Sequence, residues 1–462
     1  MQIKKVLLSC AAVLSLASCG GSSSSTAPTI PNQDDSQVIP PIVVEDISCN
    51  VNYPLAISSI ITENDSISIP TLFDGNKLNA SNWQAPSLAT NIIVELTNPA
   101  LIKALVITWR NLEHVHLFNV YSSKDGENWQ LLDTPGQSSE NSLLPDLIDL
   151  AVSGALTARY IKLEFSGNEV SEPSNILELE AFGCEQDITH NIELIDWYLS
   201  VPTDEDNNGK SDSIKEDDLA DGYFDARFFA LSQDGGLTFS TSVSGYKTST
   251  NTKYVRSELR EMLRRGNTSY QTQGVNKNNW VFSTAPQTDL DKAGGIDGEL
   301  TAELAVNHVT STGESYQIGR VIIGQIHAND DEPARLYYRK LPGNENGAIY
   351  LAHEVLGGDD VYYEIIGSRS NSASNPTDGI PLNEKFTYSI IVNGHNLAIT
   401  ITKSDGSEFT ETIDMTNSGY DEGDQYMYFK AGVYNQNNSG DQHDYVQATF
   451  YKINNSHAGY EH

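Results

Sequence analysis

Hydrophobic and polar positions alternate along most of this chain with a period of two. Runs such as Ala104-Leu-Val-Ile-Thr-Trp109, Leu117-Phe-Asn-Val-Tyr121 and Tyr160-Ile-Lys-Leu-Glu-Phe165 read as strands, because residues two apart on a strand face the same side. Turn signals such as Asp125-Gly126 separate them. Between residues 50 and 184 the pattern predicts an antiparallel β-sandwich. It continues from residue 190 in Gly236-Leu-Thr-Phe-Ser-Thr, Glu299-Leu-Thr-Ala-Glu-Leu-Ala-Val, Arg320-Val-Ile-Ile-Gly-Gln-Ile-His, Phe386-Thr-Tyr-Ser-Ile-Ile-Val and Leu397-Ala-Ile-Thr-Ile-Thr-Lys, with no sustained helical period. The expected fold class is therefore all-β, with an N-terminal sandwich followed by a larger one. Trp129, on a strand returning from the Asp125-Gly126 turn, is expected in the core.

The length of 462 residues predicts two or three domains plus connecting segments. Lys4 and Lys5 precede the apolar run Val6 to Ala17, the shape of a secretory signal and shorter than the ~20 residues of a spanning helix. Leu16-Ala17-Ser18-Cys19 resembles the bacterial lipobox, which implies a signal peptide over residues 1–18 and an acylated Cys19. Gly rather than Asp at position 20 favours the outer membrane by analogy. Residues 19–47, with Gly20-Gly-Ser-Ser-Ser-Ser25 and prolines at 28, 31, 40 and 41, read as a flexible tether. The expected domains are residues 48–185 and 190–462, with the lipid as the membrane attachment.

Charge narrows the partners. Lys plus Arg number 28 against 62 Asp plus Glu, a net charge of −34, which excludes a phosphate backbone as an expected partner. Of four cysteines, Cys10 and Cys19 lie in the leader, leaving Cys49 and Cys184 in the folded part. In an oxidising compartment these two invite a disulfide, two free thiols being the alternative. The bridge would span 135 residues, stabilising by about 4–5 kcal/mol on the chain-entropy account.

Phe73-Asp-Gly-Asn76, Tyr121-Ser-Ser-Lys-Asp-Gly-Glu-Asn-Trp129, Arg159-Tyr-Ile-Lys-Leu163 and Leu177-Glu-Leu-Glu-Ala-Phe-Gly-Cys184 together resemble the discoidin, or coagulation factor 5/8 type C, jelly roll. The resemblance covers about 135 residues. It implies a carbohydrate-binding module whose termini lie side by side, in keeping with paired cysteines at its ends. Trp83, in the polar stretch Asn79-Ala-Ser-Asn-Trp-Gln, is the candidate for stacking on a sugar ring. Asp74 is a candidate calcium ligand by family analogy, or a turn-forming Asp.

In the second region three strands carry polar residues on one face and apolar residues on the other. Arg256, Glu258, Arg260 and Arg264 share a face, as do Gln325 and His327, and as do Tyr428, Lys430, Gly432, Tyr434 and Gln436. Leu259, Leu263, Ile326, Phe429 and Val433 point the other way, so the polar faces could line a groove, with Gly432 leaving room for a ligand. For each strand alone a solvated polar face is the alternative. The segments Arg256-Ser-Glu-Leu-Arg260, Gln325-Ile-His327 and Tyr428-Phe-Lys-Ala-Gly-Val-Tyr-Asn-Gln436 resemble the signature strands of polysaccharide lyase family 7, the alginate lyases. Trp197-Tyr-Leu-Ser-Val-Pro202 and Asp331-Glu-Pro-Ala-Arg-Leu-Tyr-Tyr-Arg-Lys-Leu-Pro342 also match, over about 270 residues in all.

That resemblance implies a β-jelly-roll whose concave face binds alginate or a related polyuronate, and cleavage by β-elimination to 4,5-unsaturated oligouronates. A lyase removes the proton beside an anionic carboxylate, so neutralising the charge that builds there is the main electrostatic task. By motif position Arg256 and Gln325 suit that role, with Arg260 sharing it or serving a neighbouring subsite. His327 is the candidate neutral base and Tyr434 the candidate acid; in the family Tyr does both jobs on mannuronate while His takes the proton on guluronate. Lys430, Gln436 and Glu258 complete the expected substrate-binding set, Glu258 as an ionised orienting partner. Ile326 in place of Val is associated in the family with guluronate-containing blocks. No cofactor is required by this scheme.

A glycoside hydrolase would need two carboxylic residues flanking the bond, and Glu258 is the only obvious acid on these strands. Asp204-Glu-Asp206-Asn-Asn208-Gly209-Lys-Ser-Asp212 fits the acidic part of a calcium loop, but its twelfth position is Lys215. Asp204, Asp206, Asn208 and Asp212 are therefore either structural calcium ligands or a solvated turn. The rival to an enzyme is a non-catalytic polysaccharide-binding lipoprotein that keeps the lyase fold.

Overall fold

A computed structural model describes residues 45–62, 65–78, 82–139, 143–150 and 156–460, without the side chains of 65–67. The expected signal peptide, the lipidation site Cys19 and nearly all of the tether lie outside the described residues.

The first module is built on the 21-residue strand Ala89–Trp109. This strand pairs with Asn175–Cys184, Leu156–Asn168, Ile57–Thr62 and Asp146–Asp149. A register shift between Glu95 and Ala100 interrupts its pairing, as a bulge does where a strand bends between layers. Ile92, Val94, Leu105, Ile107, Ile161, Leu163 and Leu179 are fully buried along these strands, with Trp109 packed edge-on to Phe165. Cys49 and Cys184 are disulfide-bonded, tying the start of the module to its last strand. Trp129 is not a core residue. It is half-exposed, with Lys162 Nζ 5.0 Å from its ring, because the two-residue strand Gln130–Leu131 that follows it lies at the sheet edge.

The second module stacks two sheets. One is 8-stranded and runs Phe229–Leu231, Leu237–Ser242, Tyr445–Ala458, Gly295–His308, Phe386–Asn393, Asn396–Lys403 and Glu408–Asp414, with Trp280–Val281 pairing beside Gly295. The other, 9-stranded, runs Asp212–Ile214, Trp197–Val201, Arg256–Glu261, Tyr428–Asn435, Arg320–His327, Ala334–Arg339, Asn346–Glu354 and Asp360–Ile366, with Ile380–Pro381 pairing beside Asn346–Glu354. Leu259, Ile326, Phe429 and Val433 from the second sheet and Phe239, Leu300, Tyr388 and Phe450 from the first are buried in the shared core. The alternation read from the sequence is thus the division between core and groove. Ile326, the residue tied by analogy to guluronate, belongs to the core side.

One irregularity positions the site. Ile322 pairs with Tyr434, but Gly324 pairs with Ala431, so a bulge separates the two halves of the Arg320–His327 strand. Before it, even-numbered residues face the groove; after it, Gln325 and His327 do. Tyr388 from the facing sheet donates a hydrogen bond to Ile323 O at 3.0 Å, and a Cβ on Gly324 would stand 2.6 Å from the Tyr388 hydroxyl. Gly432 has φ of 134° and a Cβ there would meet Ser257 O at 2.7 Å. Its glycine thus answers a backbone close approach on its own sheet.

The modules also pack on each other. Phe182 lies 6.2 Å from Phe224, within a cluster of Ala104, Val106, Ala230 and Ala226. Tyr445 donates to Gly75 O at 3.0 Å, Gln233 Nε2 to Pro54 O at 3.1 Å, and Ser244 Oγ to Leu143 O at 2.8 Å.

Candidate active site

Three adjacent strands bring the expected residues together. Their register sets Arg256 opposite Tyr434, Glu258 opposite Gly432 and Arg260 opposite Lys430. On the other flank Gln325 stands opposite Lys430 and His327 opposite Tyr428. Because the pairing is between groove-facing positions, side chains separated by more than 60 residues of sequence meet on one surface.

Glu258 organises the centre. Only 1% exposed, it accepts from Arg256 Nη1 at 2.8 Å and from Lys430 Nζ through Oε2, and from Gln325 Nε2 through Oε1. Burial pushes its carboxyl up, but Lys430 and Arg256 outweigh this and hold it below the ordinary value. Its oxygens are taken by protein donors, so the placement of Glu258 among substrate contacts is corrected to an organising role. The centre keeps a net positive charge of Arg256 and Lys430 against one carboxylate, and the buried Arg256 Nε has no hydrogen-bond partner. Burial and Arg256 lower Lys430 to about 8, with Glu258 opposing.

Tyr434 lies under the Arg256 guanidinium, whose Cζ is 3.6 Å from the ring centre. Burial raises the phenol and Arg256 partly offsets it, so Tyr434 holds its proton at neutral pH. His327 stacks on Tyr428 with ring centres 5.0 Å apart. Burial lowers its imidazole to about 4, leaving it neutral.

Other expected residues lie apart from this centre. Arg260 is buried with its guanidinium committed to Thr272 O, Asn279 Oδ1 at 3.2 Å and Met262 Sδ at 2.9 Å, and it covers the Tyr428 ring at 3.8 Å. It braces one wall of the groove. Arg264 falls beyond the end of its strand and pairs with Glu216 at 2.6 Å, so it does not share the groove face. Gln436 is 5% exposed just past its strand, with Nε2 unpartnered. Trp83 stands on a two-residue strand instead of an open loop, paired with Ile176 and tilted against Phe165 at 6.2 Å.

The acidic loop folds on hydrogen bonds among its own residues. Asp204 accepts from the N–H groups of Asn208 and Gly209 at 2.8 and 3.0 Å, Asp206 from Asn208 Nδ2 at 2.8 Å, and Asp212 from Glu205 N at 2.9 Å. Asp74 likewise accepts from Asn76 N at 2.9 Å. Among the described residues no three His, Cys, Asp or Glu side chains are grouped to hold a metal.

Sequence reasoning missed several groove residues. Glu332 approaches His327 Nε2 at 3.3 Å, and Tyr337 and Tyr350 stack at 4.6 Å beside Ile322 and Tyr434. The signal was present for Glu332: the turn between His327 and Ala334 is short enough to fold it back on the strand end.

The alginate lyase family matches residues 192–457, more than half of the chain, and the F5/8 type C domain matches residues 56–179. An alginate lyase from Klebsiella pneumoniae is 55% identical over 256 residues, 54% of this chain and 83% of that protein. The crystal structure of the alginate lyase from Klebsiella pneumoniae superposes with a TM-score of 0.57 at 53% identity, covering 58% of this chain and 98% of that one. An alginate lyase structure from Pseudomonas aeruginosa has a TM-score of 0.42 at 27% identity, covering 57% and 99%. The chain belongs to the alginate lyase family, and carries an F5/8 type C domain ahead of the lyase domain.

Proposed function

We propose that this protein cleaves alginate by β-elimination in the groove around Glu258, and that its first module binds a glycan. One observation carries the reading: Arg256, Gln325 and Lys430 converge on one buried carboxylate while His327 and Tyr434 stand on the same face. Glu258 aims the donors, and the uronate carboxylate is neutralised by the donors it leaves over. The C5–H bond breaks with its proton passing to His327, or to Tyr434 on the epimer that presents the hydrogen on the other side. The electron pair forms the C4–C5 double bond as the C4–O bond breaks, and Tyr434 protonates the leaving oxygen. Acceptance of guluronate-containing blocks belongs to this reading.

Purified protein incubated with alginate should generate the ultraviolet absorbance of the unsaturated product. Tyr434→Phe should lower that rate by about 10²–10⁴-fold with folding kept. Alginate binding without absorbance would favour the non-catalytic binding protein instead.

Two finer readings accompany it. The leader supports export with Cys19 lipidated at the outer membrane, and an unacylated N-terminus in intact-mass analysis of membrane-extracted protein would refute this. A structural calcium is supported beside Asp74 by Glu178, whose buried Oε2 has no partner and whose carboxyl burial raises to about 8. Calcium should then raise the Tm of the protein but not of Glu178→Gln.

A further inference from the structure

The two ring nitrogens of His327 face different partners. Nδ1 lies 2.6 Å from the carbonyl oxygen of Ala328. A carbonyl only accepts, so Nδ1 carries the hydrogen and the neutral ring presents its lone pair at Nε2. Nε2 in turn faces Glu332 Oε1 at 3.3 Å. Two acceptors at that separation repel one another unless a proton lies between them. At this edge a proton on Nε2, as exists after abstraction, gains an ion pair with Glu332, which partly offsets the burial that keeps the resting ring neutral.

Glu332 is itself fixed. The hairpin registers Gln325 against Arg335 and Ile326 against Ala334, and Arg335 Nε stands 3.8 Å from Glu332 Oε2. Arg335 Nη2 reaches Glu354 Oε2 at 3.2 Å and also Asp360, while Glu354 N donates to Glu332 O at 3.2 Å. Burial raises the Glu332 carboxyl, but His327 in its protonated form, Arg335 and a hydrogen bond with Glu354 outweigh it and hold the group below its ordinary value. Burial, with a hydrogen bond to Glu332, raises Glu354 to about 7, so the neighbouring acid is the one that carries a proton near neutrality. The other charged groups bearing on the ring are Lys430 and Arg256, and both oppose its protonation. Glu332 is the counter-charge within ion-pair distance of Nε2.

We propose that Glu332 is a positioning residue for the base, fixing the Nε2 edge of His327 and taking up the positive charge that arrives with the proton. The inference rests on the lyase reading above. The hydrogen leaving C5 bonds to Nε2, its electron pair enters the C4–C5 double bond, and the imidazolium Nε2–H points to an ionised carboxylate held by Arg335.

Glu332→Gln keeps the shape and removes the charge. It should lower kcat about 10–100-fold with KM changed less than about two-fold. Without its counter-charge the imidazolium is less stable, so the acid limb of the pH–rate profile moves to lower pH. The same shift should appear in a nuclear magnetic resonance titration of the His327 ring nitrogens in the full chain, and Glu332→Asp should restore part of kcat. A His327 titration and an acid limb that both stay in place would overturn the proposal, whatever happens to kcat. If Glu332→Gln fails to fold, Glu332→Asp should move the same titration in the same direction by less, and no movement there would overturn it equally. Failure of the unsubstituted protein to form unsaturated product would sink the lyase reading, whereas the ring titration tests the pairing without substrate.

Discussion

The active centre solves a conflict between charge and burial at single residues. Arg256, Lys430 and Glu258 are each more than nine-tenths buried, and an isolated charge there would be costly. Mutual pairing offsets that cost and leaves a surplus of positive charge for a carboxylate substrate. The same burial fixes the working range of pH. His327 must be neutral to accept a proton, and burial has lowered it to about 4, so the acid limb of kcat/KM should lie near pH 4 to 5. Lys430 loses its charge above about 8, which takes a partner from Glu258 and a cation from the groove, so efficiency should fall above that pH. A pH–rate profile with a plateau between these limits checks both groups. An acid limb at the ordinary imidazole value would show that the ring is not buried in solution. Stability follows the same sign: between the ordinary imidazole value and about 4 the unfolded chain binds a proton at His327 that the folded one does not, so His327 destabilises the fold as pH falls through that window.

At the scale of elements, the bulge at Ile323-Gly324 decides which residues reach the groove. Without it Arg320 and Ile322 would share a face with Gly324 and Ile326, and Gln325 and His327 would point into the core. The bulge is held by Tyr388, whose hydroxyl donates to Ile323 O at 3.0 Å from the facing sheet. Gly324→Ala places a Cβ 2.6 Å from that hydroxyl, and the close-packed core gives little room for retreat. We expect a loss of about 1–3 kcal/mol in stability together with a fall in kcat, since Gln325 and His327 follow directly on the same strand. Thermal unfolding and turnover of the variant check this. A variant with normal Tm but low kcat would show that the bulge serves positioning alone.

Across the whole molecule, the two modules meet through an apolar cluster and side-chain hydrogen bonds to backbone carbonyls, away from the strands that carry the active centre. Cutting the chain near Asp187 would leave the groove strands intact but uncover Phe224, Ala226, Ala230 and Tyr445. The shortened protein should keep most of its activity on soluble alginate, while its Tm falls and its tendency to self-associate rises. Calorimetry and light scattering of the shortened and full chains test this, and an unchanged Tm would mean that the interface contributes nothing to stability. The disulfide between Cys49 and Cys184 closes the first module at its own ends. Reduction should therefore lower the stability of that module without displacing any groove strand.

What the sequence determined by itself is what depends on local periodicity and on residue type. The period of two placed Arg256 with Glu258, Gln325 with His327 and Lys430 with Tyr434, and set Leu259, Ile326, Phe429 and Val433 in the core. Two lone cysteines sufficed for the disulfide. Tertiary structure decided everything that depends on which strands become neighbours, because hydrogen-bonded register is a long-range property that no local pattern encodes. Only register made Glu258 a common acceptor for three donors, committed Arg260 to Thr272 and Asn279, and carried Arg264 off to Glu216. Trp83 and Trp129 were misplaced for the same reason, since whether a strand is interior or edge is set by its partners. Glu332 came to His327 through a hairpin whose turn the sequence showed but whose fold-back only the packed sheet fixed.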